Sequence, residues 1–186
     1  MRQRRAPVMV SLGVATEPRS LMVELVDSAR WAPMIGRLII AFGSIERTTH
    51  ECIRDWAGEQ IHKHLAKARL TSRIDLAMDL ASSRNASEIA ITEFSASLAR
   101  ARELARYRNL VAHNPLCLVL FQDQMETPFL EAISSNIDEN RHLLFDELIE
   151  IVEATEACAA KLARDFATFR VEKIDFSSLH NFPGLK

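Results

Sequence analysis

Hydrophobic positions along most of the chain recur at steps of three and four residues, the period of an amphipathic α-helix. The firmest run predicts a helix from Met34 to about Trp56. Its inward stripe consists of Ile35, Leu38, Phe42, Ile45, Thr49, Cys52 and Trp56. A shorter helix is predicted before it, from Ser20 to Trp31, because Pro33 is expected to end it.

The same period continues through the rest of the chain. Residues 58–83 predict one or two helices. Asn85 or Ser87 can cap the next helix. That helix is expected to end near His113, because Pro115 disfavours helical dihedrals at the residue before it. The inward residues of these segments are Leu70, Ile74, Ala77 and Leu80, then Ile91, Phe94, Leu98, Ala101, Leu104 and Ala105. A last long helix is indicated by Leu144, Leu148, Ile151, Thr155, Cys158, Leu162, Phe166 and Phe169.

One stretch between the last two long helices has β character. Apolar runs at 116–121 and 129–134 flank a polar turn at 122–127, which predicts two short strands. We therefore predict an all-α fold, an up-and-down bundle of four to five helices with a small two-stranded β insertion after Pro115. Residues 31–172 are expected to form one helical domain, preceded by an N-terminal arm with a short helix over 1–30 and followed by an irregular tail over 173–186.

The amino-acid composition supports this fold, and the net charge limits how the chain could bind nucleic acid. The chain has 186 residues with only 5 glycines and 6 prolines, which disfavours turn-rich all-β architectures. Its net charge of −2 gives no global basic field, so nucleic-acid binding would require a local patch.

The three cysteines are odd in number and widely spaced, which argues against a disulfide framework or a zinc site and fits a reducing cytoplasm. The short apolar run near the N-terminus makes a poor signal peptide and is too short for a membrane span. We expect a cytoplasmic protein without a membrane segment.

The helix that ends at His113 carries a polar stripe. On a helical wheel Arg102, Arg106, Asn109 and His113 fall within about 60° of one another. Arg108 instead lines up with the apolar side, together with residues such as Leu104 and Ala112. A guanidinium there must reach solvent, pair with a carboxylate or hold an anion. Glu46, beside the stripe of the earlier helix, is the partner that we expect for it.

Arginine and histidine together suit phosphate chemistry. A guanidinium offers a planar charged fork for phosphate oxygens, and an imidazole exchanges protons near neutral pH. Metal-independent RNA cleavage requires a base for the ribose 2′-hydroxyl, a cation for the phosphate and an acid for the leaving 5′-oxygen. No metal or cofactor is needed, and the sequence predicts none.

The segment "RNLVAH", Arg108 to His113, resembles the R-x(4–6)-H motif of the HEPN superfamily, in which a polar residue, here Asn109, commonly follows the arginine. The resemblance covers roughly residues 34–170 and implies a homodimer whose two motifs face a shared cleft. Many members are metal-independent endoribonucleases of toxin–antitoxin or phage-defence systems, and others bind RNA or nucleotides without cleavage. Pro115 stands where toxins paired with minimal nucleotidyltransferases carry Tyr, so this chain resembles other branches.

The resulting hypothesis is a HEPN-like endoribonuclease. Arg108, His113 and Asn109 are its predicted catalytic residues, as phosphate stabiliser, general acid/base and substrate-orienting group, and Arg102, Arg106 and Glu46 are assigned to substrate binding. RNA and an antitoxin or other protein are the predicted partners. Two alternatives stay open: an inactive module that binds RNA, a nucleotide or a protein, and a structural dimerisation bundle. In a purely structural interpretation Arg108 pairs with a carboxylate, while His113 and Asn114 cap the helix.

Other polar clusters give weaker signals. "HECIRDWAGEQIHKH", with His50, Glu51, His62 and His64, lacks the second histidine of H-E-x-x-H, and a solvated polar face is the favoured interpretation. The arginines from Arg100 to Arg108 form an RNA-facing patch or an ordinary charged surface. The basic start "MRQRR" contacts nucleic acid or forms a disordered terminus.

Overall fold

The computed structural model describes residues 26–84, 86–120, 129–138 and 140–171, and 76% of them are helical. Within these ranges the helices are α1 (Ser28–Ala57), α2 (Glu59–Leu65), α3 (Leu70–Ser82), α4 (Glu88–His113) and α5 (Phe145–Val171). The strands are β1 (Leu116–Leu120), β2 (Phe129–Ser134) and β3 (His142–Leu144). The mostly helical class is confirmed.

Several sequence predictions lie outside the described residues. These are the arm over 1–25 with the start of the predicted first helix, the cap at Asn85, the turn at 122–127 and the tail over 173–186. In the part of the chain that is described, none of the helices is both long enough and apolar enough to cross a membrane.

The predicted helix end at Pro33 is wrong, because α1 runs through this residue. Asp27 caps the helix, since its Oδ1 accepts a hydrogen bond from the Arg30 backbone N–H at 3.1 Å. Pro33 is near the start, where it removes one backbone hydrogen bond. Trp31 before it and Leu38 after it are both fully buried, so burial on both sides outweighs that loss.

The other predicted helices are found with their inward faces. The segment 58–83 divides into α2 and α3, which are separated by a short turn. Ser87 caps α4, because its Oγ accepts a hydrogen bond from the Ala90 backbone N–H at 3.2 Å. The predicted stripe of α5 is largely buried, with Leu148, Thr155 and Leu162 fully so.

The β insertion has three strands, so the prediction of two was incomplete. β1 and β2 pair antiparallel, with Leu116 opposite Ile133 and Leu120 opposite Phe129. β3 adds to the free edge of β2 in the antiparallel sense, with Ser134 opposite His142. The third strand gives β2 a hydrogen-bonding partner on both sides.

The chain divides into two compact units. The first comprises Met1–Ile40 and Arg106–Ala154. Its described part holds the start of α1, the end of α4, the sheet and the start of α5. Trp31 is central to its core: the ring packs edge-on against Phe145 at 5.1 Å between centroids, and its Nε1 donates to Oε2 of Glu131 at 2.9 Å. Glu131 on β2 thus ties the sheet to the start of α1.

The second unit comprises Ala41–Ala105 and Thr155–Lys186. An aromatic cluster of Trp56, Phe94, Phe166 and Phe169 lies in its core, with the contacting ring centroids 5.3 to 6.1 Å apart. Such edge-on and tilted aromatic contacts add to the stability gained from burial alone.

Candidate functional site

The polar stripe predicted on α4 is exposed. Arg102, Arg106, Asn109 and His113 are all open to solvent. The opposite side of the helix carries buried Leu104 and Val111. Helical periodicity therefore places this stripe correctly, and its residues are accessible to a ligand.

The last turn of α4 is fixed by side-chain caps. Nδ2 of Asn114 donates to the Leu110 carbonyl at 2.8 Å. Asn136, in the loop after β2, donates from its backbone N–H to Oδ1 of Asn114 at 2.7 Å and from Nδ2 to the His113 carbonyl at 3.4 Å. These bonds satisfy carbonyls that a helix C-terminus otherwise leaves open, and they hold the backbone of His113 in place.

Arg108 is half-buried, and the apolar row predicted to include it does not continue into the last turn. Ala112, which was predicted on that row, is exposed, whereas Leu110 and Val111 are buried. The buried face thus shifts around the helix near its end, which leaves Arg108 at its margin. Its Nη1 donates to Oδ1 of Asn109 at 3.2 Å, so two of the three predicted catalytic side chains are in contact.

His113 is exposed at the end of α4. Its imidazole forms no hydrogen bond or ion pair with any residue in the described ranges. The structure thus places a solvent-accessible imidazole five positions from a guanidinium.

Two residues assigned to substrate binding belong to the second unit and have ion-pair partners there. Arg102 lies 2.8 Å from Oδ1 of Asp75. Glu46 lies 3.4 Å from Nη2 of Arg73, whose side chain is only 6% exposed. The expected pairing of Glu46 with Arg108 stays a prediction. Arg73 was overlooked, although it falls at apolar spacing between Leu70 and Ala77.

Tyr107 and Arg141 were also overlooked. Nη2 of Arg106 donates to the Tyr107 hydroxyl at 2.9 Å, and the same guanidinium lies 4.7 Å from the centre of the tyrosine ring. Nη2 of Arg141, from the loop before β3, donates to the Arg106 carbonyl at 3.3 Å. Only the fold brings Arg141 to α4, so no local sequence signal identifies it.

A second polar cluster lies in the second unit. A groove of about 740 Å³ is lined by Gly43, Glu46, Arg47, His50, Glu51, Arg54, His62 and Ala66. Nδ1 of His50 and Nε2 of His62 are 3.1 Å apart, and both residues are half-buried, which differs from the predicted solvated face. Burial lowers the pKa of His50, and the positive charge of Arg73 lowers it further. His64 is exposed, as that prediction requires.

The metal-ligating side chains of the described residues are scattered. Within the described ranges no three His, Cys, Asp or Glu side chains are grouped so that they could hold a metal ion. Cys52, Cys117 and Cys158 are free thiols, and burial raises the pKa of each. At neutral pH they are therefore protonated and poorly nucleophilic.

Comparison with protein-family models, with curated proteins and with solved structures finds no match to this chain. Its function is therefore inferred from the residues and contacts described above.

Proposed function

We propose that this chain is a HEPN-like, metal-independent endoribonuclease that acts as a homodimer. The helices would form an up-and-down bundle, and the motif from Arg108 to His113 would line a cleft shared by two copies. A cytoplasmic toxin or phage-defence system, in which a partner protein restrains the nuclease, is the setting that the resemblance implies.

The arrangement at the end of α4 carries this proposal. Arg108 contacts Asn109, and His113 presents an accessible imidazole on a capped and fixed helix end. The imidazole can serve as the base and then the acid, and the guanidinium as the cation, that cleavage of RNA without a metal requires, while the amide can orient the substrate. All three lie within two turns of one helix.

The proposed reaction begins with the ribose 2′-hydroxyl. His113 accepts its proton while the 2′-oxygen forms a bond to phosphorus. Arg108 stabilises the negative charge of the pentavalent phosphate, and Asn109 orients the substrate by hydrogen bonding. The bond from phosphorus to the 5′-oxygen then breaks, and the His113 imidazolium returns the proton to that oxygen. The products are a 2′,3′-cyclic phosphate and a 5′-hydroxyl.

Helix geometry favours assembly of the site from two copies. Side chains five positions apart diverge by about 140° on an α-helix, so Arg108 and His113 of one helix leave it in different directions. A second copy can bring its own His113 to the Arg108 of the first. The homodimer thereby joins two groups that one helix holds apart.

Digestion of RNA in EDTA tests the activity. Wild type should cleave, whereas Arg108→Ala and His113→Ala should lose at least about 100-fold in rate, the contribution expected of one general acid/base or one charge-stabilising group. His64→Ala is the matched control, because His64 is an exposed histidine outside the motif. Mass spectrometry should find cyclic phosphate ends. Equal cleavage by all variants would identify a contaminating nuclease, and absence of cleavage would refute the proposed ribonuclease activity.

The arginine and tyrosine contacts also favour a second candidate, an RNA- or nucleotide-binding module without catalysis. The contacts among Arg106, Tyr107 and Arg141 build a cationic surface that needs no proton transfer to bind an anion. Binding of RNA without cleavage, seen as a rise in thermal stability, would support this candidate. If the chain neither cleaves nor binds RNA, a structural dimerisation bundle is the remaining candidate.

A further inference from the structure

We propose that Arg141, Arg106 and Tyr107 form a binding subsite for single-stranded RNA next to the Arg108–His113 motif, and that the loop between β2 and β3 exists to supply Arg141. The inference rests on the proposed function, because RNA is the substrate that the motif implies. It adds a binding role for the loop residue Arg141 and for Tyr107, beside Arg106, which the sequence already assigns to substrate binding.

The described residues of the loop that carries Arg141 are hydrogen-bonded to one another and to the end of α4. The Arg141 backbone N–H donates to the Asp138 carbonyl at 3.0 Å, and its carbonyl accepts from Ser135 at 3.0 Å. Asn136 binds the end of α4 through two hydrogen bonds. Hydrogen bonds therefore hold the backbone of Arg141, and from that position its guanidinium reaches the Arg106 carbonyl on α4.

The two guanidinium groups of the subsite are open to solvent. Arg106 and Arg141 are exposed, and within the described ranges neither forms an ion pair. The carboxylate of Asp138, in the same loop, accepts a hydrogen bond from the Asn140 backbone N–H at 3.1 Å. By comparison, the guanidinium of Arg102 on the same helix has Asp75 as a partner at 2.8 Å.

The Arg141 guanidinium contacts the backbone of Arg106, so both cations belong to one stretch of the α4 surface and their charges add in attracting an anion. The phosphates of a nucleic acid are anions of the right kind, because each guanidinium can bind two phosphate oxygens. Since the whole chain carries a net charge of −2, this local pair would supply the attraction that the chain as a whole does not.

Tyr107 extends the subsite from phosphate to base. Its hydroxyl accepts a hydrogen bond from Arg106 at 2.9 Å, and the guanidinium carbon lies 4.7 Å from the ring centroid. The tyrosine ring and the exposed guanidinium are both planar groups on which an unpaired base can stack. Stacking accepts any base, so the subsite should bind single strands with little sequence preference.

The alternative explanation is that Arg141 only attaches the loop to α4. Arg141→Gln separates the two roles, because the glutamine amide can still donate to the Arg106 carbonyl but carries no charge. Arg141→Lys keeps the charge. Arg164→Gln is the matched control, since Arg164 is an exposed arginine of the second unit and its replacement changes the net charge equally.

The experiment measures binding of a fluorescent oligouridylate to the full chain at several salt concentrations, with His113→Ala as the parent to prevent cleavage. We expect Arg141→Gln to weaken binding about tenfold and to reduce the slope of log K against log salt by about 0.7, the value for one lost phosphate contact to a single strand. Arg141→Lys should keep the salt slope of the parent because it keeps the charge, and Arg164→Gln should stay within about twofold of the parent's affinity.

Each outcome has a distinct meaning. An unchanged dissociation constant and salt slope for Arg141→Gln, or no binding of RNA by the parent, would overturn the subsite. Cleavage by wild type with unchanged binding by Arg141→Gln would leave the ribonuclease intact and refute only the subsite. Weakened binding without any cleavage would support the subsite and refute the ribonuclease.

Discussion

At the scale of single residues, the contact between His50 and His62 shows how burial determines a protonation state. Nδ1 of His62 is buried without a hydrogen-bond partner in the described chain. A buried donor without an acceptor is rarer in proteins than a buried acceptor without a donor. The favoured tautomer of His62 therefore carries its proton on Nε2, from which it donates to Nδ1 of His50. This contact requires at least one neutral ring.

The same pair predicts a loss of stability in acid. Burial, Arg73 and His62 lower the pKa of His50, and Glu46 opposes them only in part. Since the folded pKa lies below the unfolded value of about 6.5, the unfolded state binds more protons as the pH falls through that value. Urea unfolding at pH 7.5 and 5.5 should show that wild type loses more stability in acid than His50→Gln, which cannot take up this proton.

The exposed His64 provides the control for that measurement. His64→Gln removes a histidine from the same short helix as His62 but not from the pair, so its loss in acid should match that of wild type. If His50→Gln loses as much stability in acid as wild type does, the pair does not control the acid response.

At the scale of elements, the structure shows which segments a pattern can predict. α4 and α5 span 26 and 27 residues, so their period repeats many times and their buried faces could be predicted from the sequence, except in the last turn of α4. β3 has three residues, from His142 to Leu144, which is too short to show the alternation of a strand. The predicted helix end at Pro33 was wrong because burial of the residues on both sides of the proline outweighs its local tendency to end a helix.

The candidate site likewise has one part that the sequence could predict and one part that it could not. Asn109, His113 and the exposed stripe lie on one helix, where spacing alone determines which side chains share a face. Arg141 reaches Arg106 from 35 positions away, and that contact depends on how the sheet and its loop fold. Local periodicity therefore predicts the helical half of the site and cannot predict the half that a distant loop supplies.

The capped end of α4 gives a prediction at this scale. Asn114→Ala removes the hydrogen bond to the Leu110 carbonyl and the acceptor for the Asn136 backbone N–H. With about 1 kcal/mol per hydrogen bond, the free energy of unfolding should fall by about 2 kcal/mol. Urea unfolding measures this change.

Asn140→Ala is the matched control, because the hydrogen bond of Asn140 to Asp138 uses the backbone N–H that alanine keeps. It should unfold within about 0.5 kcal/mol of wild type, as surface substitutions usually do. Should Asn114→Ala prove as stable as Asn140→Ala, the link between the loop and α4 would contribute little.

At the scale of the whole molecule, the proposed activity depends on whether one active site is built from one copy of the chain or from two. If Arg108 of one copy acts with His113 of the other, neither Arg108→Ala nor His113→Ala alone can form a complete site. A mixed dimer of the two variants, however, contains one site with both groups intact. A site made within one copy would give no intact site in any mixture.

Mixing the two inactive variants therefore tests the shared site directly. Random exchange makes about half of the dimers mixed, each with one of two sites intact, so RNA cleavage should return to about a quarter of the wild-type rate. Dimers of wild type, verified by light scattering, should lose activity on dilution below their dissociation constant. Cleavage by wild type without recovery in the mixture would mean that one copy holds the complete site, and a bent or frayed last turn of α4 would then have to bring Arg108 and His113 together.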